Sequence, residues 1–251
     1  MVQETIQTSL LWLPRERKEK MYIQDLILEV TRRCNMACEH CLRGNAESLD
    51  MKKEIVDEVL KHCDFIGSVT FTGGEPSLNI PLIRYFFEEA EKQGKLPASF
   101  YVVTNGKSNQ YELATELLKW YPKMGEKELC GVALSVDVYH EDLDAEAEYV
   151  RALSFYRDDK EIPFSERYPE RHIIAEGRAA NWGESKRRLN DAIEFDNGTI
   201  EMLYVSANGN LIGDCDFSYD HIDQLSEYDI WHLPELFVKL KREEEQFLES
   251  A

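Results

Sequence analysis

The feature that most constrains this chain is a regular alternation of short apolar β-rich runs with helical patterns, with an unusual motif directly after several of the runs. The runs cover residues 23–31 (IQDLILEVT), 68–72 (SVTFT), 99–104 (SFYVVT), 131–136 (GVALSV), 172–176 (HIIAE) and 199–207 (TIEMLYVSA). A helix is expected over 48–62, with Ser48 as its N-cap and Met51, Ile55, Val56, Val59, Leu60 and Cys63 on one face. A second opens near Pro81, carries Leu82, Phe86 and Ala90, and stops at Gly94; a third carries Leu113, Leu117 and Trp120. An acidic helix over 141–157 follows, and the polar stretch 158–171, with two prolines, reads as a surface loop. Strands alternating with helices predict βα units on a parallel sheet, whose site is built by the loops leaving the strand C-termini.

Composition narrows the function classes. The formal charge of −19 argues against nucleic-acid binding through a basic surface, which works by displacing phosphate counterions. No apolar run approaches the roughly 20 residues of a membrane helix, and the opening residues lack a signal-peptide pattern. Six cysteines without an export signal point to the reducing cytoplasm and away from a disulfide framework.

Three of those cysteines, Cys34, Cys38 and Cys41, fall within eight residues directly after the first apolar run. Thiolates at this spacing bind zinc or hold an iron–sulfur cluster. Zinc needs a fourth ligand, for which His40, His62 and Cys63 are available, although zinc patterns generally pair two close dyads and no second dyad exists here. Three cysteines on one loop suit a four-iron cluster with one iron left open to an outside ligand. Cys63 fits the apolar stripe of its helix, and Cys130 opens a strand; both read as packing residues.

The order C34-N-M-A-C38-E-H40-C41 after the first run, then G73-G74-E75-P76 after the second, resembles the radical S-adenosylmethionine (SAM) superfamily. The resemblance spans roughly residues 22–215. It implies an α/β fold, a partial (βα)6 barrel over 23–207, with an N-terminal extension (1–22) and a C-terminal hairpin and helix (208–251). It also implies a [4Fe–4S] cluster on Cys34, Cys38 and Cys41, with SAM chelating the fourth iron. One electron from the reduced cluster then cleaves SAM to methionine and a 5′-deoxyadenosyl radical, which abstracts hydrogen from a peptide or small-molecule substrate.

By the same resemblance, Gly73, Gly74 and Glu75 lie at the SAM amino group, and His40 stands where an aromatic residue usually lies against the adenine. Asn105, Ser135, Asp137 and Arg151 are further cofactor-binding candidates, with Arg178 a weaker one. The segment 203–216 resembles the hairpin that begins the extra-cluster extension of peptide maturases, without its further cysteines; Cys215 there is a candidate hydrogen-atom donor. With 22 residues ahead of the first strand, no leader-peptide-binding domain is expected. An electron donor such as flavodoxin or ferredoxin is the implied partner. The alternative is a non-catalytic zinc or iron–sulfur protein with a structural or sensing role.

Overall fold

A computed structural model of the chain describes residues 20–135, 145–151, 165–167, 173–183 and 191–250. The first strand, β1 (Tyr22–Thr31), is followed by the cysteine loop and helix α1 (Lys53–His62). Next come β2 (Phe65–Gly73), α2 (Ile80–Lys92), β3 (Ser99–Thr104), α3 (Gln110–Trp120), β4 (Gly131–Ser135), α4 (Ala147–Arg151) and β5 (Ser165–Arg167). The remainder is β6 (Phe195–Asp196), β7 (Thr199–Val205), β8 (Asn210–Ile212), α5 (Tyr219–Leu225), β9 (Tyr228–Asp229) and α6 (Leu233–Ser250). Among the described residues, no helix is long and apolar enough to cross a membrane.

The strands form one mixed sheet in the order β5-β4-β3-β2-β1-β7-β8-β9, with β6 paired to β7. The pairs from β5 to β1, and β1 with β7, are parallel, and the last three are antiparallel. The α/β fold is therefore the one expected, a parallel sheet compatible with a partial barrel. Its sixth parallel strand lies beside β1, with Tyr22 opposite Thr199 and Leu28 opposite Val205. The expected C-terminal hairpin is β7–β8, joined by the turn at Gly209 (φ +95°).

Alternation along each strand divides the sheet into two unlike faces. Leu26, Leu28, Val30, Val69, Phe71, Phe100, Val102 and Leu134 pack in one core with the apolar sides of α1, α2, α3 and α6. Phe87 sits at its aromatic centre, edge-on to Phe71 at 5.4 Å and stacked on Trp120 at 5.1 Å. The other face carries Asp25, Ser68, Thr70, Thr72, Tyr101, Val103 and Ser135, all half-buried, so β2 to β4 present a hydroxyl-rich surface that no helix among the described residues covers. Over β1 and β7 that same face is closed by a second cluster, in which Ile27 and Tyr204 meet Ile212, Phe217 and Ile222 of the C-terminal segment.

Several boundaries differ from expectation. Helix α1 begins at Lys53, not near Ser48, because Asp50 is drawn back to β1: it bridges Thr31 and accepts from Thr31 Oγ1 (2.6 Å) and Arg33 Nε (2.8 Å). A 3-10 turn, Pro76–Asn79, precedes α2, whose end is closed by Gly94 at φ +67° as expected. The fifth strand is Ser165–Arg167, inside the stretch read as a loop, and where a strand over 172–176 was expected, 173–183 holds a single bridge residue, Ile174, then bends and a 3-10 turn. Gly177 (φ +55°) packs this segment against the cysteine loop: a Cβ there would meet Leu42 O at 2.3 Å and Cys41 O at 2.6 Å. Of the expected 141–157 helix, Ala147–Arg151 is described; Asp137 lies outside the described residues.

Candidate functional site

The C-terminal ends of β1 to β4 lie along one edge of the sheet, so the cysteine loop, Gly73–Glu75, Asn105 and Ser135 meet there. Cys34, Cys38 and Cys41 are half-buried on a single loop, none of them in a disulfide. Two short turns shape it, Cys41 N–H donating to Cys38 O (3.2 Å) and Gly44 N–H to Cys41 O (3.2 Å), with His40 half-buried in the first.

The two glycines act on the chain entering that loop. Gly74 N–H donates to Thr31 O and Glu75 N–H to Arg33 O, both at 2.8 Å. A Cβ on Gly73 (φ +141°) would lie 2.0 Å from Thr31 O, and one on Gly74 2.3 Å from Arg33 O. Their freedom is thus needed where backbone meets backbone, which sets the direction in which the cysteine loop leaves β1.

Glu75 turns inward, toward the end of β3. Its side chain is 1% exposed: Oε1 accepts from Thr104 Oγ1 (2.7 Å) and Ser77 N–H (3.1 Å), and Oε2 from Asn105 N–H (2.7 Å). Burial raises its pKa against the pull of those three donors. The carboxylate ties the end of β2 to the end of β3 and has no open surface for a ligand. Asn105 passes that restraint on, since its Nδ2 donates to Asn35 Oδ1 (2.8 Å) and lies 3.9 Å from Cys34 Sγ.

An arginine does reach the loop, but it is Arg178. Its backbone N–H donates to Cys41 O (3.0 Å), its Nη1 to Cys38 O (3.2 Å) and its Nε to Asn45 Oδ1 (3.1 Å). Arg151 instead lies on α4, whose Ala147 and Val150 enter the helix-side core, and pairs with Glu148 of its own helix. Ser135, at the end of β4, is half-buried on the open face.

Sequence reasoning missed the charged network beneath the loop. Arg32, 1% exposed, donates from Nε to Glu29 Oε1 (2.7 Å), from Nη1 to Glu47 (3.1 Å), and through both Nη atoms to Asp223 (2.8 Å each). Glu29, fully buried, also accepts from Tyr204 Oη and from Ala207 N–H (3.0 Å). Burial acts to raise the Asp223 pKa, but the Arg32 fork, with Asn208 and Asn210, outweighs it and the value falls below the ordinary aspartate range. Arg43, two residues past Cys41, donates to Phe217 O (2.8 Å) and accepts from Tyr219 N–H (3.1 Å). The one sequence signal was the pair Arg32-Arg33 directly ahead of Cys34; its partners lie up to 191 positions away. Cys215 packs against the second apolar cluster, on the sheet face opposite the helices.

The donor set fits an iron–sulfur cluster. Three cysteines, none of them in a disulfide, stand half-buried on one loop, the number of thiolates that holds such a cluster with one iron left open to an outside ligand. Cys63 is fully buried in the helix-side core and burial pushes its thiol up to about 12, which marks it as a packing residue.

An uncharacterized protein of Methanocaldococcus jannaschii is 42% identical to this chain over 65 residues, a stretch covering 24% of this chain and 22% of that protein. Solved structures similar to it include anSMEcpe with bound AdoMet and a Cp18Cys peptide (20% identity, 59% of this chain and 42% of that one, TM-score 0.36). Another is Streptococcus suis SuiB bound to precursor peptide SuiA (14% identity, 78% and 60%, TM-score 0.37). This chain thus covers less than two thirds of the length of each of these proteins. The model of the radical SAM superfamily matches residues 28–160, just over half of the sequence and the part that runs from β1 through the cysteine loop to α4. With the cysteine loop and the glycine pair held together at the strand ends, that match settles the family: the chain belongs to the radical SAM superfamily, whose members use a [4Fe–4S] cluster and SAM.

Proposed function

We propose that this chain is a radical SAM enzyme in which Cys34, Cys38 and Cys41 hold the cluster and the open face of β2–β4 receives a peptide or small-molecule substrate. When bound, the cluster and SAM supply a one-electron reductant and a 5′-deoxyadenosyl radical able to abstract hydrogen. The residues of this chain orient and shield that chemistry. Gly73, Gly74, Glu75 and Asn105 fix the loop against the strand ends, and Arg178 closes it from the other side. His40, on the cysteine loop, and Ser135, at the end of β4, are further side chains that would contact SAM. The hydroxyls of Ser68, Thr70, Thr72 and Tyr101 line the floor on which a substrate would be hydrogen-bonded. Cys215, which packs against the apolar cluster over β1 and β7, would return a hydrogen atom to a substrate radical, with electrons for the cycle coming from a flavodoxin- or ferredoxin-type donor.

The observation carrying this reading is the set of three cysteines, none in a disulfide, on one loop at the strand ends, within the stretch 28–160 that the radical SAM model matches. Anaerobic reconstitution tests it: about four irons per chain are expected, and Cys→Ala at position 34, 38 or 41 should lose the brown chromophore. Zinc bound in preference to iron, or a Cys34→Ala variant that keeps its colour, contradicts it.

A further inference from the structure

A hydroxyl taken out of water without a hydrogen-bond partner costs about 1–3 kcal/mol, so each such group calls for a partner. Among the described residues, two buried hydroxyls lack one, Ser77 Oγ and Tyr219 Oη. Tyr219 is 3% exposed and opens α5, in the C-terminal segment that closes the sheet face over β1 and β7. Its position is fixed from several sides. Its N–H donates to Arg43 O (3.1 Å), and the Arg32 guanidinium packs on its ring at 4.5 Å. Ser218 caps the helix it begins.

Charged or titratable groups near the Tyr219 hydroxyl include Glu29, Arg43, Cys41, Arg32 and Tyr204. Four of these are committed elsewhere, Tyr204 as a donor to Glu29. Glu29 accepts from Arg32, Tyr204 and Ala207. Arg43 donates to Phe217 O, and Arg32 to its three carboxylates. What remains on that side is Cys41 and whatever it ligates. Cys34, by comparison, already has Met36 N–H at 3.4 Å and Asn105 Nδ2 at 3.9 Å.

We propose that Tyr219 Oη–H is a positioning hydrogen-bond donor to the sulfur shell of the cluster on the Cys41 side, raising its reduction potential. This rests on Cys34, Cys38 and Cys41 being the cluster ligands. Three thiolates and the inorganic sulfides make the site electron-rich, and a donor to sulfur favours the reduced, more negative form. The C-terminal segment thereby takes part in the redox chemistry while contributing no iron ligand.

Tyr219→Phe removes only the unpartnered oxygen, and the test has two arms. In the metal-free protein the variant should melt at the same temperature as wild type or higher, whereas Tyr204→Phe, which takes a donor from buried Glu29, should melt lower. In the reconstituted protein Tyr219→Phe should carry full iron, with a ratio of reduced to oxidised cluster at fixed potential about tenfold lower, close to 59 mV for a one-electron couple. An unchanged potential with a full cluster overturns the inference. So does a lowered melting temperature of the metal-free variant, which marks a structural hydroxyl, or failure of the variant alone to assemble a cluster. A wild-type chain that binds no cluster refutes the ligand assignment itself, and the inference with it.

Discussion

At the scale of single residues, Glu29 carries the largest burden. It is fully buried, and three groups, Arg32 just past β1, Tyr204 on β7 and Ala207 in the turn after β7, depend on its two oxygens. Removing one partner of a buried ion pair leaves an uncompensated charge, which costs about 3–5 kcal/mol. Glu29→Ala is therefore expected to lower unfolding free energy in urea by that amount; a loss under about 1 kcal/mol would show that Arg32 is satisfied by Asp223 and Glu47 alone. Asp223 gives a pH signature. Because its pKa is lowered in the fold, its contribution is fully present above the ordinary aspartate value of about 3.9 and is lost as pH falls through the lowered one. The urea midpoint should drop with acid in that window, and less steeply in Asp223→Asn.

At the scale of elements, the junction of β2 with the cysteine loop is the point where a small change does most. Gly73→Ala adds a methyl that would lie 2.0 Å from Thr31 O, at a φ of +141° that L-residues rarely adopt. The expected result is a protein with wild-type helix content by circular dichroism that retains little iron after reconstitution; full iron retention would mean that the strand end yields without moving the loop. The cysteine loop, the glycine pair and the Asn105-Gly106 turn were legible in the sequence because each is a short motif whose spacing has local meaning. The inward turn of Glu75 was not, since two of its three donors, Thr104 Oγ1 and Asn105 N–H, come from the end of β3 some 30 positions away, with only Ser77 N–H nearby. Strand β5 was also hidden, because Ser165–Arg167 is polar and lacks alternation, while the apolar Ile173-Ile174 drew the assignment eight residues downstream.

At the scale of the whole molecule, the alternation of runs correctly announced parallel βα units, but not the position of the sixth parallel strand. Pairing of β7 with β1 joins residues some 177 positions apart (Tyr22 with Thr199), and nothing local in TIEMLYV names its neighbour. That pairing brings the C-terminal segment across β1, where Phe217, Tyr219 and Asp223 engage Arg43 and Arg32 at either end of the cysteine loop. Among the described residues, the consequence is a sheet with helices on one face and, on the other, a half-buried hydroxyl floor beside the loop. The account stands or falls on what happens to SAM there. Incubating the anaerobically reconstituted chain with dithionite and SAM, and measuring 5′-deoxyadenosine by liquid chromatography, is the direct measurement. The account predicts 5′-deoxyadenosine and methionine in equal amounts from wild type and none from the Cys38→Ala variant. A fully loaded protein that leaves SAM intact, or forms S-adenosylhomocysteine without any 5′-deoxyadenosine, would contradict it.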